Sequence, residues 1–315
     1  MTRPSRRDFL AFSAAGVAAL TRFSGWAAEI RAGMVGWGEG AKAAARVFHE
    51  IPGLTVSSLS APGSQHAEAL EFFSGMGVEA PAVHASMRSM VSRRRPDFLY
   101  AAGDVAEVQF WPGHLLLDGP VDPAAHGGAV AADQCIQVLP RFQFADYGRP
   151  SSMLRRDWRS ARIDCHAPLP DTSIESPRDL ARWLYRETGD AVDFTRELLA
   201  MSGPWRISGA ATQAATPSSA RFGWRVSEQR AGGKTMEVSV LASHAPNART
   251  GTGIHLWSAH GTMVLRGSPR SPILTRLLTV DLLLAMEKKA PAGLLFSPQA
   301  LAESQHLISR FSEVV

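Results

Sequence analysis

Two glycines one residue apart, placed directly behind a short apolar run, are the residues of this chain best suited to hold a ligand. The run Glu29 to Val35 reads as a buried strand and enters Gly36-Trp37-Gly38-Glu39-Gly40-Ala41 ahead of the helical pattern Lys42 to Ile51. In such a strand-turn-helix Gly36 permits the tight bend, Gly38 lets backbone approach a pyrophosphate, and Ala41 lets the helix pack against the strand. The helix N-terminus adds N–H donors and a partial positive charge, with Trp37 inside the same turn. Pro52-Gly53 ends the helix, and Leu54 to Leu59 reads as a second strand that runs out through Ser60-Ala61-Pro62. An acidic residue at that point would hydrogen-bond a ribose 2′-hydroxyl, but Ser60 stands there and no carboxylate does. The expected ligand is a dinucleotide, NAD or NADP, with Ser60 available to a 2′-phosphate. The competing reading is a tight strand-to-helix connection that holds no ligand.

Asp164-Cys165-His166 suggests metal or nucleophile chemistry, but zinc needs further ligands at short spacing and no second Cys/His cluster lies nearby in sequence. No metal is expected. Cys135 and Cys165 are the only cysteines, so the chain is not a disulfide scaffold, and their spacing leaves open whether they pair. Trp183, Trp205, Trp224 and Trp257 could stack on a sugar, although tryptophans spread over a helix and separate strands more often fill cores. His255 and Trp257 share one face of a strand by alternation.

These residues must be positioned by two successive patterns. The first half alternates strand and helix: helices from Gln65 to Gly75 and from Met87 to Arg93, then a strand Asp97 to Ala102, which implies a parallel sheet with right-handed crossovers. From Trp111 to Gly128 the breakers in Trp111-Pro112-Gly113-His114, Asp118-Gly119-Pro120 and Pro123-Ala124-Ala125-His126-Gly127-Gly128 read as loops. The second half changes to one long helix, Leu180 to Leu199, and strands at Trp205 to Ser208, Ala220 to Ser227, Met236 to Leu241 and Gly253 to Leu265. Helices at Ile273 to Glu287 and Pro298 to Phe311 close the chain. The expected fold is α/β: a Rossmann-type domain over 29–145 and an α/β domain with an open, mainly antiparallel sheet over 146–315. An open sheet face commonly buries itself against a copy of the same chain, so a homo-oligomer through that sheet is expected.

Residues 1–28 carry a different kind of information. Ser5-Arg6-Arg7-Asp8-Phe9-Leu10 precedes an apolar run to Leu20 and a small-residue exit at Gly25-Trp26-Ala27-Ala28, the pattern of a twin-arginine signal for export of folded cargo. The run is shorter than the ~20 residues a membrane span needs, so a periplasmic protein that engages the twin-arginine machinery is expected. Four arginines less Asp8 in this segment account for +3 of the formal net charge of +4. The remainder is close to neutral, which removes the charge argument for a nucleic-acid partner.

Taken in order, Met34-Val35-Gly36-Trp37-Gly38, Pro52-Gly53-Leu54, Pro96-Asp97-Phe98-Leu99-Tyr100, Arg186-Glu187-Thr188-Gly189-Asp190-Ala191-Val192-Asp193 and Ser258-Ala259-His260-Gly261-Thr262 resemble the glucose-fructose oxidoreductase and inositol dehydrogenase family, known as Gfo/Idh/MocA. The resemblance implies a nicotinamide-dependent oxidoreductase acting on a sugar or polyol. It also exposes departures. The family's Glu-Lys-Pro after the fourth crossover is missing, and the resemblance puts His126 near the lysine position. The family's His followed three residues later by Asp reads here as Asp190 and Asp193. Oxidation of a carbinol needs a base for the hydroxyl proton and a donor for the developing alkoxide, roles for which Asp190, Asp193 and His126 are the candidates. The alternatives are a non-catalytic relative that binds a carbohydrate or a partner protein, or a cofactor-independent lyase or hydrolase on the same scaffold.

Overall fold

The computed structural model describes residues 29–102, 108, 111–119, 134–139, 142–143, 157–169, 176–201, 205–216, 219–229, 232–243, 251–288 and 310. The expected export segment 1–28, His126 and most of the expected helix from Pro298 to Phe311 lie outside the described residues. The chain divides into two compact units, the first made of 1–140 with 270–298 and the second of 141–269 with 299–315.

The first unit runs β1 (Ile30–Val35), α1 (Glu39–His49), β2 (Leu54–Ser60), a 3-10 turn (Gly63–Gln65), α2 (His66–Gly75), β3 (Ala82–His84), α3 (Met87–Arg94), β4 (Phe98–Ala102), β5 (His114–Asp118) and β6 (Ile136–Leu139). All six strands are parallel in the order β3-β2-β1-β4-β5-β6, the doubly wound arrangement expected from the strand-helix alternation. Ala32, Met34, Leu99, Tyr100 and Leu116 are buried in the central strands, as helices on both faces require. The run of alanines in α1 lets its backbone lie close to the sheet, where Phe48 meets Phe98 and Tyr100 edge-on at 5.9 and 5.7 Å.

Two expectations are corrected here. The stretch read as loop from Trp111 onward contains β5, because Leu115, Leu116 and Leu117 between two turns form a fully buried parallel strand, which carries no alternation to announce it. The contiguous division at residue 145 also fails at the other end of the chain. Helix α5 (Pro272–Lys288), numbered after the second unit's α4 (Pro177–Leu198), returns to the first unit, burying Leu274, Leu278, Leu282 and Leu283 against α1, β5 and β6.

Helix α5 also carries a pH dependence. Burial pushes the Asp281 carboxyl up to about 7. The unfolded chain ionises this group near its ordinary value of 3.8, so its contribution to stability is intact below that pH and is lost as pH rises through about 7. Asp281→Asn is expected to stabilise the protein by on the order of 3 kcal/mol at pH 8 and to match the parent at pH 3.5. Urea unfolding of both proteins at the two pH values checks this; an equal effect at both would refute it.

The second unit contains β7 (Phe142–Gln143), β8 (Ser160–Pro168), α4, β9 (Trp205–Thr216), β10 (Ser219–Glu228), β11 (Thr235–Ser243), β12 (Gly251–Ser258), β13 (Gly261–Arg266) and β14 (Ser268–Pro269). Its main sheet has the order β13-β12-β8-β11-β10-β9, antiparallel except where β8 runs parallel to β11. Strict alternation puts Ile163, Cys165, Val238, Val240, Ile254 and Leu256 inward, and α4 packs on β8, β11 and β12. The outward face carries ion pairs instead, Arg162 with Asp164 at 2.9 Å and Arg225 with Glu237, beside His255 stacked on Trp257 at 6.2 Å. Trp183 and Trp224 are core residues, Trp183 lying 5.3 Å from Phe222.

Candidate functional site

The carboxyl ends of β1 and β4 are neighbours at the point where the strand order of the first sheet reverses, so a crevice opens there. The glycine turn fills its floor. Gly36 has φ +84, a left-handed conformation, and a Cβ on it would stand 2.9 Å from the carbonyl oxygen of Ala102 at the end of β4. Its N–H donates to the carbonyl of Ser60 at 2.9 Å, which ties the turn to the end of β2. Gly38 is extended (φ 170, ψ −173), and a Cβ there would meet nothing within 4 Å among the described residues. Its carbonyl accepts from the N–H of Lys42 at 2.9 Å, so α1 begins at this residue, and among the described residues no side chain caps its first turn. An uncapped helix start presents N–H donors and the positive end of the helix dipole to open space. That is a cradle of the shape and charge a pyrophosphate needs, and the residues present fit a dinucleotide.

Ala41 is fully buried against the sheet, as expected for close helix packing. Trp37 is 8% exposed and turns away from the helix start, edge-on to Phe72 at 5.4 Å and tilted on Phe73 at 5.8 Å, so it anchors the turn to α2. Lys42 holds both nearby carboxylates, Glu39 and Glu68, at 2.7 Å each.

Beneath α1 lies a group of residues that sequence reasoning missed. A Cβ on Gly40 would stand 2.8 Å from Asp118 Oδ2, so the first turn of the helix rests directly on that carboxylate. Asp118 accepts from the hydroxyl of Tyr100 and, at Oδ1, from the Arg270 guanidinium at 2.6 Å, while Arg270 Nε donates to Thr275 Oγ1 at 2.9 Å. Burial, and then the Asp118 charge, push the Tyr100 phenol well up, so it stays a hydroxyl donor. The one sequence signal was a lone carboxylate closing an apolar Leu-Leu-Leu run; its partners come from residue 100 and from beyond residue 269.

Asp118 is the last residue of β5, and Gly119 after it has φ +93 with its N–H donating to Leu139 O at 2.9 Å. This is the exit from the fourth crossover. The chain there is Asp118-Gly119, with no side chain on the second residue, and His126 lies outside the described residues.

Asp190 and Asp193 belong to the second unit, on α4, one helical turn apart and buried, at 8% and 0% exposed. Asp193 accepts from the buried Arg196 guanidinium at 3.1 Å, which makes it a brace within the helix. Glu187, also buried, accepts from Arg186 at 2.9 Å. Cys135 and Cys165 are both buried and form no disulfide, and burial pushes Cys165 up to about 12, which removes it as a nucleophile.

The sequence matches no family profile and no curated protein. Its structure does have relatives. A dehydrogenase from Chromobacterium violaceum superposes with a TM-score of 0.66 at 13% identity, over 90% of this chain and 94% of that one. GenD2 from gentamicin A biosynthesis, solved with NAD, gives 0.64 at 13% identity over 90% and 93%. Biliverdin reductase from Synechocystis sp. PCC 6803, solved with biliverdin and NADP+, gives 0.62 at 14% identity over 90% and 98%. A putative myo-inositol dehydrogenase from Sinorhizobium meliloti 1021 is similar at the same TM-score, 0.62.

The fold is that of the Gfo/Idh/MocA-type dehydrogenases. A six-stranded parallel Rossmann sheet followed by a mixed, mostly antiparallel sheet is the architecture that the order of the sequence motifs implied.

Proposed function

We propose that this chain is a nicotinamide-dependent oxidoreductase acting on a sugar or polyol, exported to the periplasm through the twin-arginine route. The observation that carries the reading is the uncapped start of α1 behind Gly36 and Gly38, open at Gly38 and set at the switch point of a Rossmann sheet. The neighbours solved with NAD and NADP+ support it.

When bound, the nicotinamide supplies the hydride acceptor. The protein's own share begins with position. Backbone N–H groups after Gly38 hold the pyrophosphate, Gly36 sets the turn, and Trp37 and Ala41 keep turn and helix from shifting. We assign to Asp190, buried on α4 at the position where the resembled family has its histidine, the proton of the substrate hydroxyl. One observation favours the rival, a relative that binds a carbohydrate without turning it over: β5, the exit of the fourth crossover, closes on Asp118-Gly119 and no Glu-Lys-Pro follows it in the sequence.

The deciding measurement is mass and absorbance analysis of what the purified protein carries, with NAD and NADP titrations on the same sample. Bound or micromolar cofactor is expected, followed by turnover in a sugar and polyol screen that Asp190→Asn lowers by about 100-fold or more. Cofactor binding without turnover would favour the rival. We also propose self-association through the outward face of the second sheet, where a groove of about 360 Å³ is lined by Arg162, Ser208, Gly223, Arg225, Glu237 and Ser239. Its paired charges suit a self-complementary contact.

A further inference from the structure

A second cluster lies at the carboxyl ends of β2 and β3, beside the glycine turn. Ser60 ends β2 and His84 ends β3; the two are register partners, with 7% and 8% of their surfaces exposed. The strand ends are tied together, since the N–H of Ala61 donates to His84 O at 3.1 Å and His66 Nε2 lies 2.9 Å from Ala61 O. His84 Nε2 is buried and has no hydrogen-bond partner among the described residues. Trp37 Nε1, in the glycine turn, and Ser58 Oγ, two residues back on β2, are in the same condition. A buried polar atom without a partner costs about 1–3 kcal/mol, so the unpartnered His84 Nε2 at the strand end points to a ligand that the protein is built to receive.

The charge around the cluster fixes the sign of that ligand. Burial and the positive charges of Arg93, Arg94 and His66 hold the His84 imidazole below its ordinary value, so the ring is neutral at pH 7 and sits in a cationic field. No carboxylate stands in Leu59-Ser60-Ala61-Pro62, and Glu39 and Glu68 are both occupied by Lys42.

We propose that this cluster receives the 2′-phosphate of NADP, so that the chain selects NADP over NAD; the proposal rests on the dinucleotide reading given above. The end of the second Rossmann strand is where the adenosine ribose lies when a pyrophosphate occupies the glycine turn. There the Ser60 hydroxyl and His84, as its Nε2–H tautomer, donate to phosphate oxygens, while Arg93 and Arg94 offset the dianion at longer range. A bare 2′-hydroxyl offers His84 one weak partner and leaves the cations uncompensated, and the selectivity is that difference.

The test is titration of the full chain with NADP, NAD, 2′,5′-ADP and 5′-AMP. NADP is expected to bind at least about tenfold tighter than NAD, and 2′,5′-ADP to compete where 5′-AMP does not. His84→Leu should bring NADP and NAD to within about threefold of each other, the loss falling mainly on NADP. Should the buried position not tolerate leucine, Arg93→Ser with Arg94→Ser, both exposed, should weaken NADP by about three- to tenfold and leave NAD unchanged. Equal or tighter binding of NAD would overturn the 2′-phosphate assignment and leave the nicotinamide reading standing. Failure of both dinucleotides to bind would overturn the reading itself and this inference with it.

Discussion

Gly38→Val is expected to fold with the stability of the parent chain and to lose dinucleotide binding by at least about 100-fold. The backbone at Gly38 is extended, which valine adopts freely, and a Cβ there meets no atom of the described residues within 4 Å. The added methyls instead enter the space in front of the uncapped start of α1, where the pyrophosphate would lie. Gly36→Ala reports the opposite. Its φ of +84 is strained for any L side chain, and the new Cβ would press on the carbonyl of Ala102 at 2.9 Å. It should cost about 2–3 kcal/mol of stability and lose the ligand as a consequence. Thermal unfolding with NAD and NADP titrations on the two variants separates these effects. If Gly38→Val keeps full affinity, the glycine turn is only a connection.

Asp118→Ala is expected to lower the unfolding free energy by about 3–5 kcal/mol, the usual cost of stranding one partner of a buried ion pair. The Arg270 guanidinium and the Tyr100 hydroxyl would both lose their acceptor. Arg270 leads into α5, and Asp118 supports Gly40 in the first turn of α1, so one carboxylate joins the return of the chain to the floor of the cradle. Asp118→Asn keeps an acceptor oxygen and should cost only about 1–2 kcal/mol. Urea unfolding of both variants checks the ranking; equal and small losses would mean the network contributes little.

The sequence by itself determined that the first sheet is parallel with right-handed crossovers, because strand-helix alternation in short units leaves few other windings and the glycine turn marks the first strand. The bend at Gly36 and the packing of Ala41 were legible in the same way, since a left-handed conformation and a small packing residue are local requirements. The alternating strands of the second sheet were legible too, one face being apolar along β8, β10 and β11. Strand β5 was not, because burial on both faces erases alternation and its flanking breakers look like loop. Nor was the return of α5 to the first unit. An amphipathic or apolar helix states that it must be buried, not against which sheet.

Only the tertiary structure assembled Tyr100, Asp118 and Arg270, or set His84 beside Ser60 with its Nε2 unpartnered. Local pattern fixes what each segment must become. Which side chains from distant segments share one buried space is decided by packing, and the cost of leaving a charge or a donor unpaired there is what selects them.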